Sequence, residues 1–152
     1  MASVFDVAKY FLSKQGMEHK KLQKLCYYGQ AWHCALEGKP LFLETIEAWV
    51  HGPVCPALYH RYKKYGWQEI PKVELFNNCL SDSELEILNA VYDTYGVLTG
   101  MQLETLTHSE KVWQKARGRL YPNNPMEPCT NEITPEDMKD YYLELYEKAQ
   151  ND

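Results

Sequence analysis

The stretch Glu18-His-Lys-Lys-Leu-Gln-Lys-Leu-Cys-Tyr-Tyr-Gly-Gln-Ala-Trp-His-Cys-Ala-Leu-Glu37 decides the fold. Leu22, Leu25, Cys26, Gly29, Trp32, His33 and Leu36 recur at the spacing of one helix face over four turns. Tyr28, Ala31 and Ala35 widen that stripe, and only the corner with Lys20, Lys21 and Lys24 reads as fully wet. A helix apolar over most of its circumference belongs at the centre of a fold. Gly38, followed by Pro40, ends it.

On the N-terminal side, Val4, Val7, Ala8 and Phe11 predict a helix over residues 3–15, with Ser3 as its cap and Gly16 as its stop. On the C-terminal side the period changes. Ile46-Glu-Ala-Trp-Val50 alternates and predicts a strand or extended piece near residues 44–52, punctuated sharply by His51-Gly52-Pro53, where Gly52 before the proline is extended or in a turn. Pro56 suits a first helical position, and Leu58, Tyr59, Tyr62 and Tyr65 follow at helical spacing. Residues 67–80, with Pro71 and Asn77-Asn78, read as irregular. Ser81 and Glu84, then Thr99 and Gln102, have capping-box spacing and open two more helices. Ser109 is expected to cap a short one, and residues 118–133, with three prolines, form a loop. Thr134-Pro-Glu-Asp137 starts a last helix lined by Met138, Tyr141, Tyr142 and Leu145. The expectation is a mainly α, compact bundle of six to seven helices, one domain over residues 1–152.

A chain of 152 residues buries about two thirds of its unfolded surface without disulfides or metal. No apolar run approaches the ~20 residues of a membrane span, and the first residues lack the pattern of a secretory signal. Five cysteines without a CxxC pair point to reduced thiols and a cytoplasmic location. The net charge of −5 is uneven: residues 1–72 hold 10 Lys/Arg against 6 Asp/Glu, and residues 73–152 hold 6 against 15.

The sequence carries no HExxH, GxSxG, P-loop or GxGxxG pattern, no metal-ligand spacing and no cofactor motif. An enzyme would have to rest on a Cys–His pair meeting in space, marked by His51 or His108 in a cleft beside a thiol or carboxylate. A DNA-binding regulator would need Lys20, Lys21, Lys24, Arg61, Lys63 and Lys64 to form one basic face, against a pI near 5.5. Other features fit protein binding better. Lys21 and Lys24 flank the stripe, Trp49 precedes the Gly-Pro turn and Trp113 follows His108. Tyr27 and Tyr28 are adjacent, so they are not expected to point inward together. Trp and Tyr dominate the energetic centres of protein interfaces.

Four groups of residues resemble one known family. They are Lys21-Leu-Gln-Lys-Leu-Cys-Tyr-Tyr-Gly-Gln-Ala-Trp-His33, Gly38-Lys-Pro-Leu-Phe42, Glu47-Ala-Trp-Val-His-Gly-Pro-Val54 with Tyr59-His-Arg-Tyr-Lys63, and Leu106-Thr-His-Ser-Glu110 with Trp113 and Ala116-Arg117. The set, spread over nearly the whole chain, is similar to the Panacea-domain antitoxins, also called SocA-like or phage-associated GepA-like proteins. The resemblance implies an antitoxin of a type II toxin–antitoxin pair, often carried by prophages, that neutralises a toxin encoded nearby by direct binding. One relative also delivers its toxin to a protease. Some relatives carry an additional N-terminal DNA-binding domain, and the motifs here begin close to the first residue, so nucleic-acid binding is not expected. The expected partner-binding residues are Lys21, Lys24, Tyr27, Tyr28, Trp32, Trp49, His51, Gly52, Pro53, Tyr59, His108 and Trp113, with Gly52 and Pro53 shaping the turn and Trp32 the foremost candidate for a structural role. No catalytic residue, metal or cofactor is expected.

Overall fold

The computed structural model describes residues 1–75 and 78–151; Asn77, read as part of an irregular stretch, lies outside the described residues. The decisive stretch forms helix α2, His19–Glu37. It ends on Gly38, whose φ of 77° lets its N–H close the last turn onto the Cys34 carbonyl at 3.0 Å. Every residue from 22 to 31 is buried. α2 is therefore enclosed on all sides, not along one stripe.

Its enclosure is built from short, well-capped elements. Helix α1, Val4–Lys14, opens with a Ser3–Asp6 capping box. Strands β1, Glu47–Trp49, and β2, Gly52–Val54, pair antiparallel across a Val50-His51 turn, with Ala48 opposite Pro53. Helix α3, Pro56–Tyr62, starts on its proline and runs into a 3₁₀ turn, Lys63–Tyr65. Helices α4, Asp82–Tyr95, and α5, Gly100–His108, both carry the expected capping boxes, because Ser81 and Thr99 each accept the third amide and receive a carboxylate or amide in return. Helices α6, Lys111–Arg117, and α7, Pro135–Asn151, complete the chain. Together these are seven helices and one two-stranded hairpin among the described residues. α7, α4, α1 and α5 pack around α2, and a single apolar core runs from Ala2 to Tyr142.

Four local expectations need correction. Lys24 is 1% exposed, because the hairpin and α5 close over it. Tyr27 and Tyr28 both point inward, because α7 and α4 cover the two sides on which they project. Leu36, in the last turn of the stripe, is 45% exposed. Ser109 does not cap α6: its hydroxyl donates to the Leu106 carbonyl at 2.6 Å, and Glu110 is the cap residue. Gly52, read as extended or in a turn, is extended and opens strand β2, and the loop after α6 adds a bridge from Glu132 to Glu47.

Candidate functional site

Residues from distant parts of the sequence converge on the hairpin 47–54. A hairpin of three-residue strands is marginal alone, since it exposes most of its carbonyls. Here the carbonyls are taken by side chains. Arg117 Nη1 donates to the Ala48 oxygen at 3.2 Å, Trp113 Nε1 to Trp49 at 3.0 Å, and Lys24 Nζ to Pro53 at 3.1 Å. His108 Nε2 lies 2.8 Å from the Val50 oxygen. Gln23 bonds both the amide and the carbonyl of Cys55, at 2.9 and 3.2 Å. The His108 ring stacks on Trp113 with centroids 4.3 Å apart, and the Arg117 guanidinium lies 5.3 Å from the Trp113 ring. The end of α5 and one face of α6 thus present a layered cation–aromatic–imidazole stack to the hairpin backbone.

Gly52 is required at the centre. Its φ is +109°, and an added Cβ would fall 2.8 Å from both Lys24 Cε and Thr107 Oγ1. Burial pulls the Lys24 amine down to about 7, with Glu104 opposing that shift and Lys20 adding to it. Burial also lowers His108. Both groups are therefore suited to bond carbonyls as neutral or weakly charged donors beneath the hairpin.

The hairpin tip is polar on one edge. Lys20 Nζ lies 2.7 Å from Glu104 Oε1, a close ion pair. His51 Nδ1 lies 3.2 Å from Glu104 Oε2. Burial acts to raise Glu104, and the hydrogen bonds and charge offered by Lys20 and His51 outweigh it and hold the carboxyl below its usual range. Around the exposed His51 lie three cavities. One of ≈ 280 Å³ is bounded by Trp49, Tyr59, Trp67 and Met101, one of ≈ 320 Å³ by Val54, Pro128 and Cys129, and one of ≈ 420 Å³ by His108, Tyr121 and Met126. Trp67, Met101 and Met126 are 91%, 64% and 72% exposed.

The expected partner-binding residues divide by location. Trp49, His51 and Tyr59 line the hairpin surface, Lys24, His108 and Trp113 hold it from beneath, and Gly52 and Pro53 are buried residues of its second strand. Tyr27 and Tyr28 lie in the interior. Tyr28 and Tyr142 donate to Glu110 Oε1 at 2.9 and 2.8 Å, and Tyr27 donates to Tyr142 at 2.8 Å. Burial pushes the Glu110 carboxyl up to about 7, against the two phenol donors. Trp32 lies apart, on an apolar groove of ≈ 260 Å³ with Leu36, Val91 and Tyr146, and bonds the Tyr95 hydroxyl at 2.9 Å. Lys21 caps α4 through the Gly96 carbonyl at 2.7 Å.

Beside Gln23, the residue-by-residue reading missed one more hairpin support, Arg117. It is 1% exposed and also donates to Asn124, Pro125 and Glu127 carbonyls, at 3.4, 3.2 and 2.7 Å. The Ala116-Arg117 pair was visible in the sequence, but nothing local marks an arginine as buried. Trp67 was missed for the opposite reason, because an exposed tryptophan in an irregular segment breaks no periodicity.

The geometry gives little to nucleophilic chemistry. His51 does lie beside a carboxylate, and Cys129 lines a neighbouring cavity wall. Yet no thiol bonds a histidine among the described residues, and burial pushes the Cys26, Cys34 and Cys55 thiols up, Cys34 to about 11. No metal-binding cluster occurs among the described residues. The six-cation face that a DNA-binding regulator would need is also broken: Lys24 is buried, Lys20 is paired, and Lys21 is bound to a helix end.

The antitoxin SocA-like, Panacea domain family matches residues 22–114, more than half of the chain. The chain belongs to this Panacea-domain family. The matched segment begins in α2 and contains the hairpin, Lys24, His108 and Trp113, so the hairpin and all its supports except Arg117 lie within the Panacea match. α1 and α7 lie outside it. No curated protein and no solved structure matches the chain. The Panacea family is one of antitoxins, which suggests a binding role and not a catalytic one, and implies a toxin as partner. No helix among the described residues is long and apolar enough to cross a membrane.

Proposed function

We propose that this Panacea-domain protein is the antitoxin of a type II pair and neutralises its toxin by direct binding through the hairpin surface. The observation that carries this reading is the supported hairpin. Five side chains from α2, α5 and α6 fix its backbone, which leaves Trp49, Val50 and His51 at a rigid, partly apolar surface bordered by exposed Trp67, Met101 and Met126. A preorganised surface with aromatic anchors loses little conformational entropy on binding. Delivery of the bound toxin to a protease is an extension of the same surface interaction, with the antitoxin as adaptor.

Co-expression with the product of the adjacent gene tests the proposal. The neighbour alone is expected to arrest growth, and this chain is expected to restore it and to co-purify with the neighbour. A Trp49→Ala/His51→Ala variant should keep its thermal transition and lose rescue. A harmless neighbour, or one that forms no complex, rejects the antitoxin reading. Rescue by the folded double variant rejects the hairpin as its surface. Monitoring toxin abundance in cells with and without the main ATP-dependent proteases separates occlusion from delivery.

A further inference from the structure

Glu110 is the N-cap residue of α6 and only 6% exposed, yet no cation faces it. The ionisable groups around it are all phenols: Tyr27 and Tyr28 on α2, Tyr95 on α4, Tyr141 and Tyr142 on α7. On its own stretch of chain, Lys111 is exposed and His108 is turned to the Val50 carbonyl. Among the described residues no lysine, arginine or histidine lies within ion-pair distance of the Glu110 carboxyl. Tyr28 and Tyr142 donate to one of its oxygens, so the ionised form keeps two bonds and gains no counter-charge. Neutral donors only partly offset the cost of taking a carboxylate out of water, and burial accordingly pushes Glu110 up to about 7. The helix across this knot buries few side chains. Of its 17 residues, α7 buries Met138 and Tyr142, holds Tyr141 and Leu143 half-buried, and exposes every residue from 144 to 151. Its ion pair to α6, Asp137 with Lys115, is largely exposed and of the kind that contributes little. Tyr142 is thus both a main buried anchor of α7 and its grip on Glu110. Its ring closes over Tyr27 and Trp32, with centroids 6.1 and 5.4 Å away.

We infer that α7 is a clasp over the aromatic face of α2, held shut by the proton on Glu110. The neutral carboxyl leaves the knot uncharged with α7 closed. Ionisation places a charge where α2, α6 and α7 meet, and moving α7 away hydrates it at the expense of few buried side chains. Opening uncovers Tyr27 and the Tyr142 side of Trp32, while Tyr28 stays stacked on Tyr95 of α4 at 3.9 Å. With α7 open, Glu110 meets water and titrates at the ordinary carboxyl value of 4.5. Opening is therefore hardest below that pH, and it becomes easier as pH rises to about 7, where the closed form has itself ionised. The clasp does not depend on the antitoxin reading.

Amide hydrogen exchange of the full chain tests this, with each rate divided by the intrinsic exchange rate at the same pH. Between about pH 5 and pH 7 the opening constant of α7 is expected to rise about tenfold per pH unit, and to level off above that. Helix α1 packs against α2, α3 and α4 and reports complete unfolding. Complete unfolding also frees His19, whose imidazole burial holds down to about 4, and this opposite trend offsets Glu110. Protection in α1 is therefore expected to change little over the same window. Glu110→Gln cannot ionise and should make α7 protection independent of pH. Tyr142→Phe keeps the ring and removes the donor, so it should raise α7 opening about tenfold and leave α1 unchanged. The wild-type slope and Tyr142→Phe decide the matter even where Glu110→Gln does not fold. Wild-type α7 protection that does not vary with pH overturns the clasp. Protection in α1 that falls by the same factor as in α7 also overturns it, since the knot then governs the whole fold. A folded Glu110→Gln that keeps the slope assigns the titration to another group and overturns it equally.

Discussion

Lys24 and Gly52 show how much a single side chain can depend on its neighbour. Gly52 has a positive φ and no room for a Cβ because the Lys24 chain and Thr107 occupy that space. Gly52→Ala should therefore cost about 2–4 kcal/mol, from backbone strain plus overpacking, measurable as a lower urea midpoint. Lys24 itself sets a pH dependence. Its folded pKa, near 7, lies below its unfolded value, so the folded state prefers the neutral amine. That contribution is complete above the unfolded pKa and is lost as pH falls toward 7. Between pH 7 and 9 the wild type should gain stability relative to Lys24→Met, in urea titrations run in parallel. A flat difference over that window would show that the amine titrates normally. Nothing along the chain hints at this burial, because a lysine beside two other lysines at a helix start reads as solvent-facing.

At the scale of elements, the hairpin is stable only because other elements complete it. Its strands are three residues each, and its register alone leaves outward carbonyls without partners. Arg117 joins β1 to the 124–127 loop, so Arg117→Met should expose four carbonyls together. We expect a loss of about 3 kcal/mol and faster amide exchange confined first to residues 46–50 and 124–131. Trp113→Phe keeps the ring beneath His108 but removes the donor to Trp49. It should cost about 1 kcal/mol and reduce partner binding more than that stability loss explains, if hairpin position governs recognition. The alternating pattern of residues 46–50 announced β1, and the capping boxes announced α1, α4 and α5, because both signals are local. β2 was not legible, since Gly-Pro carries no strand propensity and pairs only because α2 and α5 hold it in place.

For the whole molecule, α2 is the axis and the buried Tyr27–Tyr28–Tyr142–Glu110 network is its polar centre. Glu110 has a folded pKa near 7, above its unfolded value, so its protonated form favours folding. That contribution is complete below about pH 4.5 and is lost as pH rises toward 7. Glu110→Gln, which keeps the acceptor for both phenols, should therefore gain stability relative to the wild type as pH rises through that window, read by denaturant unfolding. His19, pulled down by burial to about 4, drives the opposite trend in both proteins and cancels in the comparison. The sequence by itself determined the helices, the caps at Ser3, Ser81, Thr99 and Thr134, the extended piece and, through its motifs, the Panacea family, since periodicity, capping and motif order are written along the chain. Only the tertiary structure decided that Tyr27 and Tyr28 are both interior, that Lys24, His108, Trp113 and Arg117 support one hairpin, and that Trp67 faces solvent. Those facts depend on which elements cover a side chain, and an element's neighbours in space are separated from it by up to 115 residues of chain.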